Sequence, residues 1–521
     1  APQALLAGAG ALPAARAEAG PAAEGAAEAL GARLVLWAEA HGANVSEKVS
    51  FLQPAPGGDR RCVALAGIEE GELLVRMPRQ LVFETPPSQP LGVPQGLIRL
   101  LASPAEEESH DGPAGRSLAV ALLVHHERMR GEASDFAPYL DSLPREFPSM
   151  PLLDSPPPWT MPEAGGRAGA GGDEPQLYRG TGVELLAQAG AALSDERGVA
   201  RMRRAIEELD PEGLLWHRAQ RGNDAALRWA AAVVQSRAHA SRAGRTALVP
   251  LADCFNHSTT SPNIELSEEE SAFQVFALRP IAAQEELLLS YGPFSNAELL
   301  FNAGFACLPN PDDCVMVSRE ELLAAAQRRW SCREGAAPTT EELRQRLLHL
   351  SRGLPPPKLR LAAPLLGAAV PPGVVTLLSG LMLEPEAWQE HGEDGPGNLH
   401  DCWASERSLA AEELRGEVMQ TLNYLIEFSL RPRYASSHEA DASELRAAEL
   451  PASEGGASEV ARQRRVNILR VRVGEQRVLE RLAEVIRMRL GLPRTAPSAS
   501  GGQPPAKRAR AADGDSAGAE G

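Results

Sequence analysis

Two short apolar runs that stop abruptly at polar residues constrain this chain more than anything else in it. The first, Leu248-Val249-Pro250-Leu251-Ala252, runs into Asp253-Cys254-Phe255 and then Asn256-His257-Ser258. The second, Leu287-Leu288-Leu289, ends in Ser290-Tyr291-Gly292. An apolar strand that gives way to an amide, an imidazole or a phenol presents chemistry at the edge of a core, where backbone rigidity and solvent access meet.

Around this pair the chain reads as a split β-fold with helices inserted in its middle. Val49–Leu52, the turn and strand from Gly57 to Ala64, and Gly71–Pro78 are short apolar runs separated by glycine, the pattern of antiparallel structure. Apolar spacing predicts helices over Leu118–Met129 and Ala226–Ser241, the latter with Leu227, Ala230, Val233 and Val234 inward. Phe136–Pro144 is a compact aromatic-proline segment. Residues 155–174, rich in proline and then glycine, read as a low-complexity loop. Past Asn310 helical periodicity takes over, at Glu320–Trp330, Thr340–Leu350, Val374–Met382, Ala411–Phe428 and Val471–Leu490. The fold class is therefore α+β, with an all-α C-terminal domain. Residues 31–305 form the β-rich domain, carrying a helical insert over about 90–245, and 306–491 form the helical one. Residues 1–30, almost all Ala, Gly, Glu and Pro, are expected to be a flexible leader, and 492–521 a disordered tail.

The formal charge of −17 sets aside non-specific binding to nucleic acid and favours basic partners such as lysine-rich segments. The six cysteines, Cys62, Cys254, Cys307, Cys314, Cys332 and Cys402, show no CxxC spacing, which argues against a zinc cluster and, without a secretory signal, against a disulfide framework. No stretch has the roughly 20 uninterrupted apolar residues of a membrane span. The expectation is a soluble, intracellular monomer. The Ala-rich leader favours a chloroplast address; Lys507-Arg508-Ala509-Arg510 in the tail leaves the nucleus open, with the cytoplasm as a third alternative.

The series Leu227-Arg228-Trp229-Ala230, Ser236-Arg237, Leu248–Asp253, Asn256-His257-Ser258, Ser290-Tyr291-Gly292, Ser295–Leu300 and Gly304-Phe305 resembles, in order and spacing, the SET-domain protein methyltransferases of the Rubisco lysine methyltransferase class. The likeness covers residues 227–315, with looser matches at Gly71–Arg79 and Phe136–Pro144 and a helical second domain of the same kind. It implies methyl transfer from S-adenosylmethionine to a lysine side chain of a protein substrate. By resemblance Tyr291 sits beside the reacting methyl and amine, and Asn256, His257, Ser236 and Arg237 line the cofactor. Arg237 and Phe305 would then face the substrate, and Asp253 would pair with Arg237 or with the substrate.

Three departures from the family pattern stand out. Its glycine-x-glycine turn is replaced by Asp59-Arg60-Arg61-Cys62, so either the loop uses Gly57 and Gly58 or cofactor binding is impaired. Its cofactor-lining glutamate has no evident equivalent near Glu84-Thr85-Pro86-Pro87. Its tyrosine before the Gly-Phe pair is Ala303, a loss expected to widen the target channel and change the number of methyl groups added or the target. Two alternatives accordingly stand beside lysine methylation: a catalytically silent binding module, and methylation of a protein histidine.

Overall fold

The computed structural model describes residues 21–492, except 56–59, 85–92, 94–97, 99–112, 155–156, 159–173, 190–191, 211, 214–222, 241–245, 335–336, 352–357, 361–371, 392–408 and 451–457. Gly57, Gly58 and Asp59, nearly all of the proline-glycine loop, the basic tail and Cys402 lie outside the described residues. The strands are β1 (Asn44–Val45), β2 (Val49–Pro54), β3 (Arg60–Ala64), β4 (Leu73–Pro78), β5 (Phe83–Glu84), β6 (His239–Ala240), β7 (Thr246–Leu248), β8 (Asn256–His257), β9 (Ile264–Glu268), β10 (Ala272–Ala277), β11 (Leu288–Leu289), β12 (Cys314–Met316) and β13 (Lys358–Arg360).

The largest sheet runs β1-β4-β10-β9-β11-β8, and β5-β7-β6 form a second. Alternation explains the centre of the first: in β10 Phe273, Val275 and Ala277 are buried, and Val275 faces Val75 of β4 across an antiparallel register. The exception is the edge. There β11 pairs in parallel with both β8 and β9, which takes the two polar ends met in the sequence to the same side of the sheet.

The N-terminal helix runs Pro21–Ala40, so it begins well inside the stretch expected to be a flexible leader. Alanine is the best helix former, and tertiary packing completes the helix. Leu34, Trp37 and Ala38 are buried, and Trp37 Nε1 donates to the Asp135 carbonyl at 2.7 Å. Gly31 is required for that packing, because a Cβ there would lie 2.4 Å from the Phe51 carbonyl oxygen of β2.

The inserted helices Pro113–Arg130 and Asp224–Arg237 pack on the strand core, with Leu227, Ala230, Val233 and Val234 buried. Beyond Asn310 the helices Arg319–Trp330, Thr340–Leu350, Pro372–Met382 and Leu409–Leu425 share a second core with the C-terminal half of a long helix, Glu459–Arg489. The helix His438–Ala448 and the first turns of the long helix add to the helices expected from the sequence. A short antiparallel ladder of β12 with β13 also sits in this helical region. A third apolar cluster, including Tyr178, Val183, Leu300, Phe301, Met316 and Leu469, joins the insert, the end of the β-rich part and the long helix.

Candidate active site

The parallel pairing of β11 with β8 builds the site. Leu288 stands opposite Asn256 and Leu289 opposite His257, and the Ser258 amide donates to the Leu289 carbonyl at 3.0 Å. Tyr291, just past β11, therefore lands against the imidazole. Its backbone N–H donates to His257 Nδ1 at 3.0 Å, and the two rings stand 4.9 Å apart. A backbone amide only donates, so Nδ1 is the acceptor and the ring proton of the neutral imidazole sits on Nε2. Burial lowers the His257 pKa, which keeps the ring neutral, and Nε2 has no hydrogen-bond partner among the described residues.

The Tyr291 hydroxyl donates to the Phe255 carbonyl at 2.8 Å, and burial pushes the phenol up to about 12. Phe305 completes this wall. Its ring lies 6.0 Å from His257 and 6.2 Å, edge-on, from Tyr291. The helix Asn296–Ala303, fixed by a capping box between Ser295 and Glu298, delivers it through Gly304, whose φ of 81° is the left-handed conformation glycine tolerates.

Below the wall lies a buried charge network. Leu251 takes φ 65°, a costly conformation for a branched side chain, and a 3-10 turn over Ala252–Cys254 follows. This sends the Asp253 carboxylate inward, where its side chain is wholly buried. The Tyr139 hydroxyl donates to Asp253 Oδ2 at 2.9 Å. Arg237 Nη1 donates to the Asp253 carbonyl at 2.7 Å and lies 3.7 Å from Oδ2. Burial raises the Asp253 pKa, while Arg237 and Tyr139 pull it back down.

The sequence-predicted residues thus fall into two groups. Asn256, His257, Tyr291 and Phe305 come together around the strand ends, and Arg237 approaches from the helix terminus. Asp253 does not face a substrate: a sealed carboxylate serves to hold Arg237 and Tyr139. Ser236 spends its hydroxyl proton on its own helix, donating to the Ala232 carbonyl at 2.7 Å.

The altered glycine turn forms the remaining wall. From Arg60 to Cys62 the chain is ordinary β-strand, and none of these residues takes a positive φ. The expected backbone strain is therefore absent there. β3 is held by the Leu287 amide donating to the Cys62 carbonyl at 2.9 Å and the Ala64 amide to the Glu285 carbonyl at 2.9 Å. Asn256 Nδ2 donates to the Arg60 carbonyl at 2.9 Å and to Glu286 Oε1 at 2.8 Å. Cys62 is fully buried and its thiol, pushed up to about 12 by burial, is inert.

Tyr139, Arg60 and Glu286 are the residues that sequence reasoning left out. A tyrosine inside an aromatic-proline segment was the available signal for Tyr139, because a buried phenol needs a partner. Glu84, left without a role, is fully buried and held by an ion pair with Arg79.

Residues 60–292 match the family model of the SET domain. SET domain-containing protein 4 of Homo sapiens is 25% identical over 298 residues, 53% of this chain and 58% of its own length. A ribosomal lysine N-methyltransferase of Schizosaccharomyces pombe is 35% identical over 96 residues, 17% of each chain. The chain thus spans little more than half the length of the SET domain-containing protein 4 relatives. Among solved structures, the SET domain of LSMT bound to lysine and AdoHcy is similar with a TM-score of 0.54 at 17% identity, covering 89% of this chain and 92% of that one. Rubisco LSMT bound to AdoMet is similar with a TM-score of 0.53, also at 17% identity, covering 88% and 92%. These likenesses establish a SET-type α+β fold continued by a helical region.

Proposed function

We propose that the chain transfers a methyl group from S-adenosylmethionine to the side-chain nitrogen of a lysine in a protein substrate. The observation that carries this reading is the convergence of Tyr291, His257 and Phe305 on one wall, with the Tyr291 hydroxyl fixed on the Phe255 carbonyl. The relatives and the solved structures, whose names specify lysine methylation and AdoMet, support it.

The residues present suit that cofactor. Arg237, about a quarter exposed, offers a cation to a carboxylate, and the Nε2–H of His257, without a partner among the described residues, offers a buried donor. Asn256 keeps its amide oxygen as an acceptor. When bound, S-adenosylmethionine supplies a methyl group on a positively charged sulfur. The chain supplies alignment, which is worth effective molarities of about 10⁵–10⁸ M when reacting groups are well held. A phenol raised to about 12 stays protonated at neutral pH, so Tyr291 acts as a fixed dipole and not as a proton acceptor. The amine must arrive neutral, and the apolar faces of Phe305 and Tyr291 promote that by desolvating the ammonium. The proton is left to solvent before the amine enters.

Calorimetric titration with S-adenosylmethionine is the first test, and no detectable binding at millimolar cofactor would sink the proposal. Tyr291→Phe is expected to cut turnover by about 10²–10³, the usual cost of one aligned polar group, with cofactor affinity nearly unchanged. A fall in affinity as large as the fall in rate would mean that Tyr291 holds cofactor instead. One observation favours the silent binding module: both amide hydrogens of Asn256 are engaged within the chain. The same titration separates the two readings.

A further inference from the structure

We propose that Asn467 and Arg470, on the long C-terminal helix, are positioning residues that hold Phe305 against Tyr291 and so set how well the pocket takes its methyl acceptor. This role deepens the methyl-transfer reading above and rests on it.

Phe305 sits on a stretch of backbone that relies on other parts of the chain. Residues 304–307 belong to no helix or strand. A buried backbone group left without a partner costs about as much as a lost hydrogen bond, so partners must come from elsewhere. Asn467 Nδ2 donates to the Gly304 carbonyl at 3.0 Å, and Asn467 Oδ1 accepts from the Ala306 amide at 3.3 Å. One primary amide thus engages the backbone on both sides of Phe305, as a neighbouring strand would. Arg470 Nη1 donates to the Ala306 carbonyl at 2.9 Å. Asn296 takes up Cys307, accepting from its amide at 2.9 Å and donating to its carbonyl at 2.8 Å.

The two helix residues are themselves fixed. Asn467 is 1% exposed and stands in an apolar run, Val466-Asn467-Ile468-Leu469, where a polar side chain is costly unless it is paired. Gln463, one turn earlier, donates to its Oδ1 at 3.2 Å. Arg470 is held by Glu449 at 2.9 Å. Val466, Ile468 and Leu469 pack in one cluster with Leu300, Phe301 and Ala306. Ala306 therefore faces the long helix, while the Phe305 ring beside it faces His257 and Tyr291. The angle of that ring follows from where the helix places Asn467. A ring that swings away from Tyr291 admits water, and the acceptor amine loses both its desolvation and its alignment.

The test has two arms, both on the full chain. In the first, label from isotope-labelled S-adenosylmethionine is followed over a dilution series of a methylation-poor cell extract. Asn467→Ala is expected to raise the half-saturating extract concentration by about tenfold, the equivalent of ~1.4 kcal/mol, with cofactor affinity unchanged in calorimetry. In a Phe305→Leu background the same substitution should add almost nothing, because both act through one ring. Fully additive losses, or an equal loss of cofactor affinity, would overturn the proposal. The second arm needs no activity: fluorine NMR of the chain carrying 4-fluorophenylalanine, with the residue 305 resonance assigned by its disappearance in Phe305→Leu. Asn467→Ala is expected to displace that resonance and to leave the one from Phe273, in the strand core, in place. Arg470→Met, at a partly exposed side chain, should displace it less and in the same direction. A 305 resonance unmoved in either variant would overturn the proposal. If the unaltered chain transfers no label, the methyl-transfer reading falls and the fluorine arm alone decides the positioning.

Discussion

Two of the regions that bury carboxylates do so by different means. Under the candidate active site Asp253 is held by a cation, Arg237, and by the Tyr139 hydroxyl. Where the insert and the β-rich part meet the long C-terminal helix, Glu475 and Asp313 are held by neutral donors. Glu475 accepts from the Gly182 amide at 2.7 Å and from the Tyr434 hydroxyl at 2.8 Å. Asp313 accepts from the Asn296 amide at 2.8 Å and from its side-chain nitrogen at 3.0 Å. Among the described residues neither carboxylate has an ion-pair partner. Burial pushes both up to about 7. The contrast teaches that a cation beside Asp253 opposes the effect of its burial, whereas Glu475 and Asp313, without one, are left to change charge near neutrality.

The largest expected effect comes from removing the cation. Arg237→Met leaves Asp253 buried and charged without its partner, and a loss of about 3–5 kcal/mol is expected in urea denaturation. A loss below about 1 kcal/mol would show that the Tyr139 hydroxyl alone carries the carboxylate, and the contrast would fail. Next comes Gly474→Ala. A Cβ there would sit 2.2 Å from Asp313 Oδ2, so the long helix must shift away from the junction. Overpacking of this kind costs about 1–3 kcal/mol, read as a lower Tm.

The smallest effect is in the pH dependence. A carboxyl whose folded pKa is raised binds its proton more tightly folded than unfolded. Its contribution is present in full below the ordinary glutamate value of 4.5 and is lost as pH rises through about 7. Stability is therefore expected to fall between those limits. Glu475→Gln keeps an acceptor for Gly182 without the ionisation, so it should flatten that slope when Tm is measured across the window. An unchanged slope would assign the titration to Asp313 or elsewhere.

The site was legible where its chemistry lies on one short stretch. Asn256, His257, Tyr291 and Phe305 each follow an apolar run or a helix end, and the fold turns those ends toward one another through a parallel strand pair that sequence alone does not announce. Of the two partners expected of Asp253, substrate and Arg237, the structure shows Arg237, because a polar residue after an apolar run points out only if the backbone continues straight, and Leu251 turns it inward. The first turns of the helix Pro21–Ala40 were hidden by a composition that reads equally as disorder, since its packing depends on Phe51 in a distant strand. His438–Ala448 was hidden for the opposite reason. It buries charge: Asp441 forms an ion pair with Arg472 at 2.8 Å, both side chains almost wholly inside, which breaks the apolar periodicity of that helix.

The proposed chemistry meets its most direct test in a cell extract poor in methylation, incubated with the full chain and isotope-labelled S-adenosylmethionine and read by peptide mass spectrometry. Label on a lysine side chain, lost with Tyr291→Phe, is the expected result. Label on histidine would contradict lysine as the acceptor, and no label above the Tyr291→Phe background would contradict methyl transfer itself.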